Sequence, residues 1–138
     1  MIVLDSHVWF WWINLEHQRL SAFQLENIET ADQVGVSAVS CFELALAHRR
    51  GRLALPGEQS EWFALALAGS SVDLLPLTPA IAARAVGLPD IHRDPFDRII
   101  IATALELDAK LASVDGLFDD YPELKGRLIG RKNIESFY

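Results

Sequence analysis

The chain has 138 residues, 51% hydrophobic and 22% charged, a balance that fits one globular domain over residues 1–138 and excludes a disordered chain. Nineteen acidic against twelve basic side chains leave a net charge of −7, which argues against broad, nonspecific attraction to nucleic acid but leaves room for a local basic face. Cys41 is the single cysteine, which excludes an intrachain disulfide and fits a reducing interior.

The opening stretch, MIVLDSHVWFWWI, has no basic n-region and its apolar run is broken by Asp5, so it reads as neither signal peptide nor membrane span. A soluble, cytoplasmic protein is expected. Ile2–Leu4 predicts a short buried strand ending at Asp5. His7–Asn14 predicts a first helix whose aromatic run, Trp9 to Trp12, has more surface than one core can cover. Part of it is expected against a second layer or another chain. Ser21 is placed as the cap of a helix running to about Ala31, and Val34–Ser37 as a second strand. A helix over Cys41–Arg50 follows, with Ser40 as its cap, Glu43 three residues on in capping-box spacing, and Gly51 as its stop. His48, Arg49, Arg50 and Arg52 make the end of this helix basic.

A helix starting at Ser60 or Glu61 and ending near Gly69 leads to a third strand, Val72–Leu77. Thr78 and Pro79 then open a helix to about Val86. After a loop, Gly87–Arg93, comes the stretch around which the chain is organised, HRDPFDRIIIATALEL from His92 to Leu107. Asp94 and Pro95 supply cap and first helical position, and the helix beyond them is apolar on almost every side, hence buried. Asp97 falls in its first turn, where an acid either completes a capping box or is aimed by the core at a cation. Lys110–Val114 predicts a fourth strand ending at Asp115, Leu117–Tyr121 a turn, and Leu128 and Ile129 a fifth, edge strand.

Strands alternating with helices predict an α/β fold, a mostly parallel sheet of four to five strands with helices on both faces. In such a sheet the C-terminal ends of strands and the N-termini of the following helices share one edge. Asp5, Glu43, Asp97 and Asp115 all fall there. Like charges held together share protons or recruit a cation, and oxygen donors without clustered Cys or His favour Mg²⁺ or Mn²⁺ over zinc. The chemistry such a site supports is hydrolysis of a phosphodiester. Ser6 and Ser113 flank the acids, and either orient them or are ordinary turn serines.

The strand end LDSHVWFWW, the helix SAVSCFELALAHRRGRLALP, the block LPDIHRDPFDRIIIATA and the closing LASVD together resemble a PIN-domain protein of the VapC toxin kind. The similarity runs over nearly the whole chain, and HRDPFDR followed by a short apolar helix is its most specific part. The resemblance implies a three-layer PIN-like sandwich and a Mg²⁺-dependent endoribonuclease, the toxin of a toxin–antitoxin pair. It also implies an antitoxin partner and a homodimer. Asp5 and Asp97 match the family's principal metal ligands, Glu43 the acid that touches metal or positions water, and Asp115 the more variable fourth acid.

Asp94 competes with Asp97 for the ligand role, and Asp119 or Asp120 with Asp115. His92 reads as a hydrogen-bonding loop residue more readily than as a base or ligand, with no second histidine at ligand spacing. Arg93 and Arg98 can hold substrate phosphate or pair with neighbouring acids, and Arg49 and Arg50 can form a basic rim for RNA with Arg52. The competing functions are a phosphoacceptor receiver domain, for which Lys132 is poorly placed, and an inactive scaffold used as a binding module.

Overall fold

The computed structural model describes residues 1–130. Five strands, β1 (Ile2–Leu4), β2 (Val34–Ser37), β3 (Asp73–Leu75), β4 (Lys110–Ala112) and β5 (Leu128–Ile129), form one sheet in the order β3-β2-β1-β4-β5. Every neighbouring pair is parallel, with Val3 opposite Gly35 on one side and Leu111 on the other. Parallel pairing forces each connection over a face of the sheet, and six α-helices occupy those connections. They are α1 (Ser6–Ile13), α2 (Ala22–Thr30), α3 (Ala38–Arg49), α4 (Gln59–Ala66), α5 (Pro79–Gly87) and α6 (Pro95–Glu106).

The strand side chains alternate between two cores. Ile2 and Leu4 pack with Trp9, Ile28, Leu44 and Trp62, while Val3 packs on the opposite face with Ile100, Ile101, Phe118 and Tyr121. The helix expected to start at Pro95 behind an Asp94 cap is α6, with Ile100 to Leu105 buried without a break. Leu75 on the adjacent strand packs over Gly35 of β2: a Cβ there would come 2.7 Å from Leu75 Cδ1, so the leucine would have to move.

The aromatic run in α1 finds a second layer within this chain. Trp9 is fully buried edge-on to Trp62 and donates its indole N–H to the Ala66 carbonyl at 3.1 Å. Trp12 stacks on His17, and Arg19 lies over Trp11. Gln24, also fully buried, donates to the carbonyls of Ser113 and Ile129, tying α2 to the ends of β4 and β5. No helix of the described residues is long and apolar enough to cross a membrane.

One boundary is corrected. The helix after β2 starts at Ala38, capped by Ser37, whose Oγ accepts from the Val39 N–H at 3.3 Å. Ser40 is therefore inside the helix and buried, and no Ser40–Glu43 capping box exists. The cap followed directly on the strand, with no intervening turn residues, because Ser37 serves both as last strand residue and as cap.

Candidate functional site

The strand order reverses direction at β1, with β2 on one side and β4 on the other, so the crevice beyond their C-terminal ends is the topological switch point of the sheet. Asp5 leaves β1 at that point and is the N-cap of α1: its Oδ1 accepts from the Val8 N–H at 2.9 Å and its Oδ2 from the Val114 N–H at 3.4 Å. Ser113, at the end of β4, hydrogen-bonds the Asp5 carboxylate and accepts from the Asp115 N–H at 3.0 Å. Asp115 is in turn the cap of a short 3₁₀ turn, Gly116–Asp120, through Leu117 N–H at 2.9 Å.

Two helices bring the other acids. Glu43, one turn into α3, accepts from Ser6 Oγ, which also lies 2.8 Å from Ser40 Oγ. A hydroxyl has one proton, so Ser6 donates to Glu43 while Ser40 supplies the proton between the two serines. Asp94 caps α6 by accepting from Phe96 N–H at 2.8 Å. Asp97 sits in the first turn of α6 and makes no hydrogen bond back to Asp94, which removes the capping-box explanation for it.

Asp5, Glu43, Asp94, Asp97 and Asp115 line one cavity of about 490 Å³, together with Ser6, His7, Trp11 and Val114. The four acids that the sequence placed on one edge are therefore together in space. Asp119 and Asp120 are exposed in the 3₁₀ turn and do not line the cavity. His92 joins the group, with Nε2 2.8 Å from Asp115 Oδ2 and 3.9 Å from Asp97 Oδ2, and the three offer donor atoms within 4.8 Å of one another. This proximity was not legible in the sequence, where His92 has no partner at ligand spacing. Only the folding of the 87–93 loop over Tyr121 delivers it. His7 is a second residue given no role beforehand that the fold places in the cavity wall.

The electrostatics follow from burial and crowding. Burial pushes the Asp5 carboxyl up, against the Ser113 hydroxyl and the Val8 N–H that favour its charge. Glu43 is raised for the same reason, with Ser6 opposing. Asp97 is pushed up to about 7, first by burial and then by the negative charge of Asp94 beside it. Among the described residues no lysine or arginine forms an ion pair with Asp5, Glu43, Asp97 or Asp115. Clustered carboxylates that no lysine or arginine among the described residues neutralises suit a divalent metal ion, and mostly oxygen donors suit a hard one.

The arginines divide. Arg98 donates to the carbonyls of Ala85, Val86, Leu88, Pro89 and His92, at 2.8–3.2 Å, and so fastens the end of α5 and the following loop. Its guanidinium is fully engaged and is not available to phosphate, a correction to the expectation for this residue. Arg93 lies on a separate depression with Val86, Asp90, His92, Pro95 and Arg98 and does not line the acidic cavity. Arg50 and Arg52 line a second groove of about 490 Å³ that shares Ser6, His7, Trp11, Glu43 and Asp94 with the acidic cavity, so the two are continuous. Arg49 is exposed nearby but does not line it. No lysine lines the acidic cavity, as a phosphoacceptor receiver requires, and Lys132 lies outside the described residues.

A switch-point site of converging carboxylates that could hold a metal ion, on a five-stranded parallel sheet, defines a class of α/β protein. The family model for the PIN domain matches residues 2–124, and the chain belongs to that family. It is 41% identical over 115 residues to Ribonuclease VapC22 of Mycobacterium tuberculosis, covering 83% of this chain and 86% of that relative. The fold is similar to VapBC2 from Rickettsia felis bound to a promoter DNA fragment, with a TM-score of 0.67 at 17% identity over 96% of this chain and 100% of the other. It is also similar to a toxin–antitoxin complex from Klebsiella pneumoniae, with a TM-score of 0.61 at 20% identity over 97% and 100% of the two chains.

Proposed function

We propose that this protein is an endoribonuclease dependent on Mg²⁺, with Mn²⁺ able to substitute, and that it acts as the toxin of a toxin–antitoxin pair. The observation that carries this is the meeting of Asp5, Glu43, Asp97 and Asp115, from four separate elements, in one cavity where, among the described residues, no lysine or arginine pairs with them. The family membership and the ribonuclease relative support it.

On this reading Asp5 and Asp97 are the principal metal ligands, Glu43 holds metal or the attacking water, and Asp115 completes the set. A divalent ion bound there supplies charge neutralisation at the phosphate and a more acidic water. The chain's own contribution is positional. Ser6 fixes one oxygen of Glu43, and Ser113 links Asp5 to the Asp115 backbone, so the carboxylates are set before any ion arrives. Asp94 also lines the cavity, but it is Asp97 whose donor atom lies within 4.8 Å of those of Asp115 and His92, which favours Asp97 as the ligand.

RNA reaches the acids along the groove between α1 and α3. Phe10, Trp11 and Phe96 line it, surfaces on which bases stack, and Arg50 and Arg52 line it without ion-pair partners among the described residues. These two, with Arg49 outside the groove, form the basic rim in a chain whose overall charge is negative. A cognate antitoxin and a second copy of the chain complete the proposed partners, and the toxin–antitoxin complexes among the similar structures favour the first.

The test is cleavage of labelled RNA by purified protein with Mg²⁺, with chelator, and with Asp5→Asn. Cleavage lost both on chelation and in Asp5→Asn supports the proposal. Cleavage that survives either one, or a folded wild-type protein that never cuts RNA, overturns it.

A further inference from the structure

His92 is the hydrogen-bonding loop residue that its sequence context suggests, and its hydrogen bonds fix more than its position. It is 7% exposed, its ring stacked on Tyr121 at 5.5 Å and edge-on to Phe118 at 5.1 Å. Tyr121 Oη lies 3.0 Å from the His92 backbone nitrogen and 2.9 Å from His92 Nδ1. On the other side of the ring, Nε2 is 2.8 Å from Asp115 Oδ2.

The proton positions in this chain follow from what each group can do. A peptide N–H only donates, so Tyr121 Oη accepts from His92 N. The single phenol proton is then free to go to Nδ1, and among the described residues Tyr121 Oη has no other acceptor. An Nδ1 that accepts is bare, so in the neutral ring the proton is on Nε2 and points at Asp115. An Nε2 carrying a proton cannot also coordinate an ion. Although His92 stands within ligand distance of Asp97 and Asp115, the relay assigns it to the carboxylate rather than to the metal.

We propose that His92 is a positioning residue, held as its Nε2–H tautomer by Tyr121, that orients the Asp115 carboxylate toward the metal site. This rests on Asp115 being part of that site. Leu117 N–H fixes Oδ1 at 2.9 Å and His92 fixes Oδ2, so both oxygens are oriented while each keeps a lone pair for an ion. An acid on a loop beyond a strand end thereby acquires the rigidity of the core under it, through Phe118 and Tyr121, which are both fully buried. Imidazole–carboxylate contacts of this kind alter metal affinity by about 10–100-fold when broken.

Two measurements test it. Nitrogen-15 spectra of the imidazole in the metal-free protein, above the ordinary histidine titration range, should show Nε2 protonated and Nδ1 bare. In Tyr121→Phe the Nδ1–H form should appear. Calorimetric titration with Mn²⁺ should then show affinity about tenfold weaker in His92→Ala and Tyr121→Phe, and recovered in large part by His92→Gln, whose amide N–H can reach Asp115. A wild-type ring protonated on Nδ1, or His92→Ala binding Mn²⁺ as wild type does, overturns the proposal. Asp5→Asn separates the two levels: if it binds Mn²⁺ as wild type does, the metal site itself is misplaced and the orienting role falls with it, whereas the tautomer stands or falls on the imidazole spectra.

Discussion

The Ser6 hydroxyl donates to Glu43 across 37 residues of sequence, joining the first turn of α1 to the second turn of α3. It holds a half-buried carboxylate that would otherwise be free to rotate into the groove. Ser6→Ala is expected to weaken Mn²⁺ binding by on the order of tenfold, the lower end of what such supporting contacts contribute. Calorimetric titration of wild type and variant checks this, and Ser6→Thr, which keeps the hydroxyl, should retain more of the affinity.

Asp97 makes stability depend on pH in an unusual direction for a carboxylate. Its folded-state value is raised to about 7, first by burial and then by Asp94, so between the ordinary carboxylate range and 7 the folded state holds a proton that the unfolded chain has lost. Its contribution to stability is therefore complete at acid pH and lost as pH rises toward and through 7. Thermal melting of the metal-free protein should show this fall, and Asp97→Asn should flatten it. Added Mn²⁺ should restore wild type at neutral pH and above but not the variant, since proton and metal compete for one carboxylate.

Arg98 closes the loop that carries His92. Arg98→Ala leaves five carbonyls without their donor and should destabilise the fold by about 2–4 kcal/mol in urea unfolding. Arg98→Lys should recover little, because an ammonium has three donors and no planar fork.

Arg50→Glu with Arg52→Glu is expected to weaken RNA binding and to lower the salt dependence of its logarithm by about 1.4, two phosphate contacts at roughly 0.7 each for a single strand. Binding measured by fluorescence anisotropy across a salt series in Ca²⁺ checks the slope. Arg93→Glu, on the other depression, should leave it unchanged.

How much of this was legible in the sequence differs by element. α6 was the easiest, because Asp94, Pro95 and the unbroken apolar run after Phe96 are local signals that need no tertiary partner. The start of α3 was misplaced by three residues, because Ser37 and Ser40 are equally good caps on paper. The choice fell to Ser37 once β2 paired with β3 as far as that residue. For the aromatic run of α1 the sequence left a second layer and another chain open, since nothing local says that Trp62 will come to cover Trp9.

By itself the sequence determined the alternation of strands and helices, and with it that Asp5, Glu43, Asp97 and Asp115 belong to one edge. Parallel pairing puts every strand C-terminus and every following helix N-terminus on the same side, so a one-dimensional pattern suffices. Only the tertiary structure decided which neighbours those acids have. Hydrogen-bond partners such as Ser6 with Glu43, Tyr121 with His92 and Arg98 with five carbonyls depend on directions and separations of a few ångströms between segments distant in the chain. No local propensity encodes them.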